Sequence, residues 1–344
     1  ISVIAICMTL IICLFSGCGS GADKDKDKKE GEGKKLKVVT TIFPAYDWSK
    51  KMLGKNAKNA DITMLLDDGV DLHSYQPSAK DIAKISKCDV FVYVGGESDE
   101  WVKDALKEAT NKKMIVINLM SKLGKSVKNE EVKEGMQAEH DHDHDKDKDH
   151  DHDKDKDHDH EHGEEPEKDE HVWLSLKNAK VCCAAISKAL QKVDPENKDL
   201  YKQNLKDYSK ELSDLDKEYK KTVDSAKSKT LLFGDRFPFR YLVNDYGIEY
   251  FAAFVGCSAE SEASFKTVKF LAEKVDALGL KHIMTIEKND HKIAKTIIKN
   301  TKAKNQDILT MDSMQATTGK DVKDGATYLD IMKKNLKVLK KALN

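Results

Sequence analysis

A stretch of helix too long for one small domain divides this chain. From Glu196 to about Lys227 there is neither Gly nor Pro, and Leu200, Leu205, Tyr208, Leu212, Leu215 and Tyr219 recur mostly every three to four residues, the period of one apolar helix face. At about 1.5 Å per residue such a helix runs about 45 Å, the height of two stacked domains. Its apolar positions keep no regular heptad, which argues against a coiled-coil dimer seam. A monomer is expected.

Strand–helix alternation fills both sides of this divide. Before it, LKVVTTIF, ITMLL, DVFVYV and MIVINL read as strands, with helices opened by Pro44 and carried by SAKDIAKISK and SDEWVKDALKEA. An amphipathic helix over Asn178–Gln191 ends at Asp194-Pro195. After the divide, TLLFG, YFAAFV, HIMTIE and DILTM read as strands, with helices near Phe239–Tyr246 and over Ser264–Leu278, His291–Thr301 and Ala326–Leu343. Repeated strand–helix units build parallel sheets covered on both faces. The expected fold class is α/β: two lobes, each a parallel sheet flanked by helices, at 36–195 and 229–344, joined by one long rigid helix at 196–228. A chain of 344 residues, 39% hydrophobic and 35% charged, is long enough for two such lobes and unstructured segments besides.

One of those segments interrupts the first lobe. His140, His142, His144, His150, His152, His158, His160 and His162 mostly alternate with acids, and only His171 of the nearby histidines lies in apolar sequence, EHVWLSLKNA. His, Asp and Lys alone cannot build a core, so 139–168 is expected to be a solvated loop. Imidazole beside carboxylate suits zinc and its first-row neighbours, and the tract reads as an auxiliary metal-capturing loop. An acidic solubilising linker needs no histidine. Glu139–Glu170 holds 17 acids and 5 lysines. The whole chain carries −1, so the body outside this stretch is basic, which fits residence beside an anionic membrane surface. The positive charge is spread without interleaved aromatics, so nucleic acid is not an expected partner.

The chain opens on ISVIAICMTLIICLFSGC, an apolar run short for a membrane span and closed by small residues. It reads as a signal peptide over 1–17 without its start. Ser16-Gly17-Cys18 resembles the bacterial lipoprotein signal, which makes Cys18 the lipidation site and 18–35 a flexible, lipid-anchored tether. Cys7 and Cys13 leave with the signal. Cys88, Cys182, Cys183 and Cys257 show no metal-type spacing and read as small core residues.

Ligands of open parallel sheets bind where loops converge at the carboxyl ends of strands. His73, on the loop after ITMLL, His171, where the tract gives way to folded sequence, and Asp312, directly after DILTM, meet that rule. His282 and His291 read as structural.

These residues carry a resemblance. DLHSYQPSAKDIAKI, EHVWLSLKNAK and TMDSMQATTGKDVKDGATYLDIMKKNLKVL look like three regions of the zinc/manganese-binding lipoproteins of ABC importers. The likeness covers nearly all of the chain after its signal. It implies a metal-type periplasmic-binding-protein fold with two four-stranded lobes, a rigid linking helix and one metal in the cleft, held in part by His73, His171 and Asp312. It further implies a permease and its ATPase as partners, a membrane contact through the anchor, and residence on the outer face of the bacterial cell membrane.

The fourth ligand position departs from the family. A His or Glu usually follows the first strand of the second lobe in a pattern like H-D-A-F-G-Y-L, whereas this chain reads Arg236-Phe237-Pro238-Phe239-Arg240-Tyr241-Leu242. Arginine has no lone pair to give, so Asp235, Glu260, Glu262 or water is expected to complete the shell. The expected function is capture of Zn2+ and delivery to the permease, with no reaction catalysed. Mn2+ is the alternative cargo, less suited to nitrogen-rich ligands. A zinc-dependent hydrolase is the rival class, since two His and an Asp can also hold catalytic zinc, but the chain has no H-E-x-x-H, nucleophile elbow or phosphate loop. A surface adhesin is a third possibility that leaves no readable motif.

Overall fold

The computed structural model describes residues 35–137, 167–258 and 262–344. The expected signal peptide, Cys18, nearly all of the tether, the histidines from His140 to His162, and Glu260 lie outside the described residues.

Two parallel sheets of four strands form the two lobes. The first comprises β1 (Leu36–Thr40), β2 (Ala60–Met64), β3 (Val90–Tyr93) and β4 (Ile115–Asn118) in the order β2-β1-β3-β4. Val38 is in register with Ile62 on one side and Val90 on the other. The second comprises β5 (Thr230–Phe237), β6 (Glu249–Val255), β7 (His282–Ile286) and β8 (Asp307–Met311) in the order β6-β5-β7-β8. Val38, Val90, Phe91, Leu232 and Ile283 are buried, as strands covered on both faces require. In each sheet the strand order reverses beside the first strand, and loops diverging there open a crevice.

The long helix spans Lys198–Asp224, entered by a tight turn at Pro195–Asn197, and its 27 residues run about 40 Å. It turns Tyr201, Tyr208, Leu212, Leu215, Tyr219 and Val223 inward. Leu200 and Leu205, expected on that face, are only partly buried, and Tyr201 takes the inner position, its hydroxyl accepting from Asn56 Nδ2 at 2.7 Å. The helix packs on Phe43–Leu53 and Leu176–Val193 of the first lobe and on Tyr328–Ala342 of the second. Asn204 Nδ2 donates to the Met52 carbonyl at 2.8 Å, and Tyr219 OH to that of Met332 at 2.7 Å. Trp48 and Tyr328 meet edge to face, 5.1 Å between ring centres. One apolar core therefore runs through both lobes, with a smaller one beneath the helices Phe265–Leu278 and Lys292–Asn300. Among the described residues no helix is long and apolar enough to cross a membrane.

Two local departures from the sequence reading shape the cleft. β5 does not end at Gly234: a bulge between Phe233 and Arg236 carries it on to Phe237, so Arg236 lies within the strand. The tract's second stem is also ordered earlier than expected. Lys168 pairs with Asn129, and Glu130 donates its N–H to the Glu167 carbonyl at 2.8 Å. The first stem crosses to the second lobe, where Gln137 N–H reaches the Ala253 carbonyl at 2.9 Å.

Candidate metal centre

His73 is set by a tight turn over Leu72–Ser74, capped by Asp71, whose side chain accepts from the His73 N–H at 3.1 Å. Ser78 and Asp81 form a reciprocal cap that fixes the start of the following helix. The Nδ1 of His73 lies 2.8 Å from Ser98 Oγ. Burial, followed by the charge of His171, pushes His73 down to about 3.

His171 is wholly buried, beside the ring of Trp173. Its Nδ1 is 3.0 Å from Asp169 Oδ1, which also accepts the His171 N–H at 2.8 Å. A carboxylate on one ring nitrogen fixes the ring and leaves the other nitrogen for a ligand. Burial alone would lower this imidazole, but the Asp169 charge and hydrogen bond turn the net shift upward. Tyr241 of the second lobe steadies the segment, donating to the Asp169 carbonyl at 2.7 Å and accepting from the Lys128 N–H at 3.0 Å.

The two rings present Nε2 to Nε2 at 3.3 Å. Neutral imidazoles with both lone pairs facing would repel, so a cation or a shared proton belongs between them. Two nitrogens at about 2.0–2.1 Å from one tetrahedral zinc stand about 3.3 Å apart, which is the separation found. Gln315 adds an oxygen: its Oε1 is 3.2 Å from His171 Nε2, while its amide nitrogen donates to Ser313 Oγ at 3.2 Å. Glu287 holds that loop, accepting from the Ser313 N–H and hydroxyl, each at 2.7 Å, and from the Gln315 N–H at 3.2 Å.

Cys257 is the residue that the sequence misplaced. It was expected in the core, yet its Sγ and the ligand nitrogens of His73 and His171 all lie within 4.8 Å of one another. Gly256 makes this approach possible. A Cβ there would stand 2.9 Å from the Phe237 carbonyl and 3.0 Å from Cε1 of His171. A glycine directly before Cys257 was the available signal. A side cavity of 310 Å³ adjoins the site, lined in part by His73, Ser98, Glu130, Glu170 and Cys257. Glu170 is 2% exposed, its Oε1 accepts from the Ser98 N–H at 2.9 Å, and its Oε2 lies 3.5 Å from His73 Nδ1 with no hydrogen-bond partner.

The other expected ligands do not join this group. Asp312 follows β8 as expected, but its carboxylate accepts from the Met314 N–H at 2.8 Å and is not within ligand distance of both histidines. Burial and then Glu287 push it up to about 6. Asp235 braces the second sheet, accepting from the Ile286 N–H at 3.0 Å and the Arg236 N–H at 2.9 Å. Glu262 is exposed and lines a cleft cavity of 610 Å³ with Asp71, Arg236 and Lys288. Arg236 itself is paired with Asp71. His282 begins β7 and His291 caps a helix in a left-handed conformation. Neither belongs to the ligand cluster.

A family model described as zinc-uptake complex component A, periplasmic, matches residues 38–342. The zinc-binding protein AdcA of Streptococcus pyogenes serotype M3 is 33% identical over 312 residues, which is 89% of this chain, and the match spans only 56% of that relative's length. The high-affinity zinc uptake system protein ZnuA of Bacillus subtilis is 32% identical over 310 residues, 90% of this chain and 88% of the relative. Among solved structures, the Zn(II)-bound ZnuA-like domain of Streptococcus pneumoniae AdcA superposes with a TM-score of 0.64 at 27% identity, covering 90% of this chain and 99% of the other. The laminin-binding protein of Streptococcus agalactiae, described as a bifunctional protein with adhesin and metal transporting activity, gives 0.68 at 25% identity, over 90% of this chain and all of that one.

Proposed function

This chain belongs to the family of the periplasmic zinc-uptake component A, and on that premise we propose that it captures zinc in the cleft between its lobes and delivers it to the permease of an ABC importer. The observation that carries the reading is the facing pair of Nε2 nitrogens at 3.3 Å, each ring held from behind through Nδ1. His73 and His171 are the primary ligands and Gln315 Oε1 an additional donor. Nitrogen-rich donors suit zinc better than manganese. Asp312 Oδ1 accepts from the Met314 N–H in the loop that carries Gln315, and its carboxylate lies outside the donor cluster among the described residues.

The chain binds and releases rather than catalyses. The donors come from both lobes and His171 is wholly buried, an arrangement that suits enclosing an ion more than presenting a metal-bound water to substrate. Cys18 anchors it by lipid to the outer face of the cell membrane, and the tract at His140–His162 gathers zinc weakly. The stems at Gln137 and Glu167 fit that role, since Glu167 lines the cavity beside His73 and Cys257. Competition with a zinc chelator tests the reading. His73→Ala and His171→Ala should each abolish tight binding, and unchanged affinity in both would refute it. An adhesive role is a second reading, supported by the likeness to the laminin-binding protein. Binding of the anchored protein to immobilised laminin tests it, and no binding above background would dismiss it.

A further inference from the structure

We propose that Cys257 is a metal ligand, so that the zinc proposed for this cleft is bound by a thiolate as well as by His73 and His171. The inference rests on the zinc-capture reading and adds a donor to it.

Three observations bring Cys257 into the shell. Its Sγ lies within 4.8 Å of the ligand nitrogens of both histidines, and a small inward movement gives the about 3.6 Å expected between a sulfur at about 2.3 Å and a nitrogen at about 2.0 Å on one tetrahedral zinc. Gly256 lets this backbone come so close to His171 that a methyl group would not fit. The surroundings are also charged for a cation. Glu130 accepts the Cys257 N–H at 3.1 Å and is hydrogen-bonded to its thiol, and the unpartnered Oε2 of the buried Glu170 lies across the same cavity.

Arg236 stands where a ligand was expected, has no lone pair to give and is paired with Asp71, which leaves a place in the shell for a donor from another element. The loop after β6 supplies it. On binding, the S–H bond of Cys257 breaks and a Zn–S bond forms, while the proton passes to the Glu130 carboxylate and on to water. Two imidazoles, one thiolate and the Gln315 amide oxygen then make a four-donor set with a net charge of +1 including zinc, beside the carboxylates of Glu130 and Glu170. Cys88, Cys182 and Cys183 are buried and Cys257 only partly so, so thiol chemistry at this site can be read selectively. A soft sulfur donor further biases the site toward zinc over manganese.

The test uses the full chain loaded with cobalt(II) or zinc. The cobalt protein should show a sulfur-to-metal charge-transfer band in the near ultraviolet that is absent in Cys257→Ser and Cys257→Ala, while the d–d bands persist. Zinc should protect Cys257 from alkylation by N-ethylmaleimide, followed by peptide mass, and both variants should bind zinc at least ~10-fold more weakly. A metal-loaded wild-type protein without the band, with Cys257 alkylated at the same rate and affinity unchanged in both variants, overturns this inference and leaves zinc capture standing. If the wild-type chain holds neither metal tightly, both readings fall.

Discussion

Arg236 of the second lobe and Asp71 of the first form an ion pair across the cleft, two residues before His73. Asp71 serves two masters: one carboxylate oxygen meets the guanidinium, and the other accepts the N–H of His73. Arg236, at the position where a ligand was expected, thus tightens the cleft and orients the turn that presents His73.

Loss of that pair should cost about 1 kcal/mol, because both side chains are partly exposed. In a double-mutant cycle of Arg236→Gln and Asp71→Asn by denaturant unfolding, the coupling should be of that order. Burial alone would raise Asp71, but Arg236 and His73 bring its net shift below the ordinary 3.8. A carboxylate lowered in the folded state contributes stability above its unfolded value and loses it as pH falls through the folded one. The coupling should therefore hold at neutral pH and fade below 3.8. Coupling indistinguishable from zero at neutral pH would dissolve the clamp.

Protons compete with zinc for His171. Because Asp169 brings its net shift above 6.5 while His73 is held at about 3, His171 protonates first as pH falls. Zinc affinity should thus begin to drop while the pH is still above 6.5. Asp169→Asn should move that onset lower. Chelator competition across about pH 5 to 8 measures it, and an onset that does not move in the variant would remove Asp169 from this role.

Glu287 positions Gln315 without touching the histidines, through its hydrogen bonds to the loop at Ser313–Gln315. Glu287→Ala should leave the two lobes folded yet weaken zinc binding by ~10-fold, the scale of losing a group that orients a ligand. Isothermal titration of the variant decides the point. Wild-type affinity would mean that the loop holds itself.

The His-rich tract should contribute several weak zinc sites and no part of the tight one. Its composition of His, Asp, Glu and Lys holds none of the apolar residues that fix a ligand set in a core, whereas the cleft rings are held by their own hydrogen bonds. Removing residues 139–165 should abolish the weak class and spare one tight equivalent in a zinc titration. If the tight equivalent disappears as well, a tract histidine supplies a ligand.

Much of this was legible in the sequence for physical reasons. The strands are short apolar runs bounded by turn residues, and the linking helix has its period without breakers, so both sheets and the helix Lys198–Asp224 follow from pattern alone. His73 and His171 could be found because loops after parallel strands converge. What pattern could not give was contact between elements distant in sequence. Asp312 follows its strand as predicted, but only the fold shows its carboxylate turned back on Met314 and Gln315 carried toward His171 instead. The bulge in β5 that seats Arg236 within the strand has no periodic signature. Cys257 lacked metal-type spacing because its partners, His73 and His171, lie on the other lobe.

Anomalous scattering from crystals of the zinc-loaded protein, collected on both sides of the zinc edge, measures directly where the metal sits. One strong peak is predicted between the facing nitrogens, about 2.0–2.1 Å from Nε2 of His73 and of His171. A principal peak on the Asp312 carboxylate or in the cleft beside Glu262, with the two imidazoles uncoordinated, would contradict it.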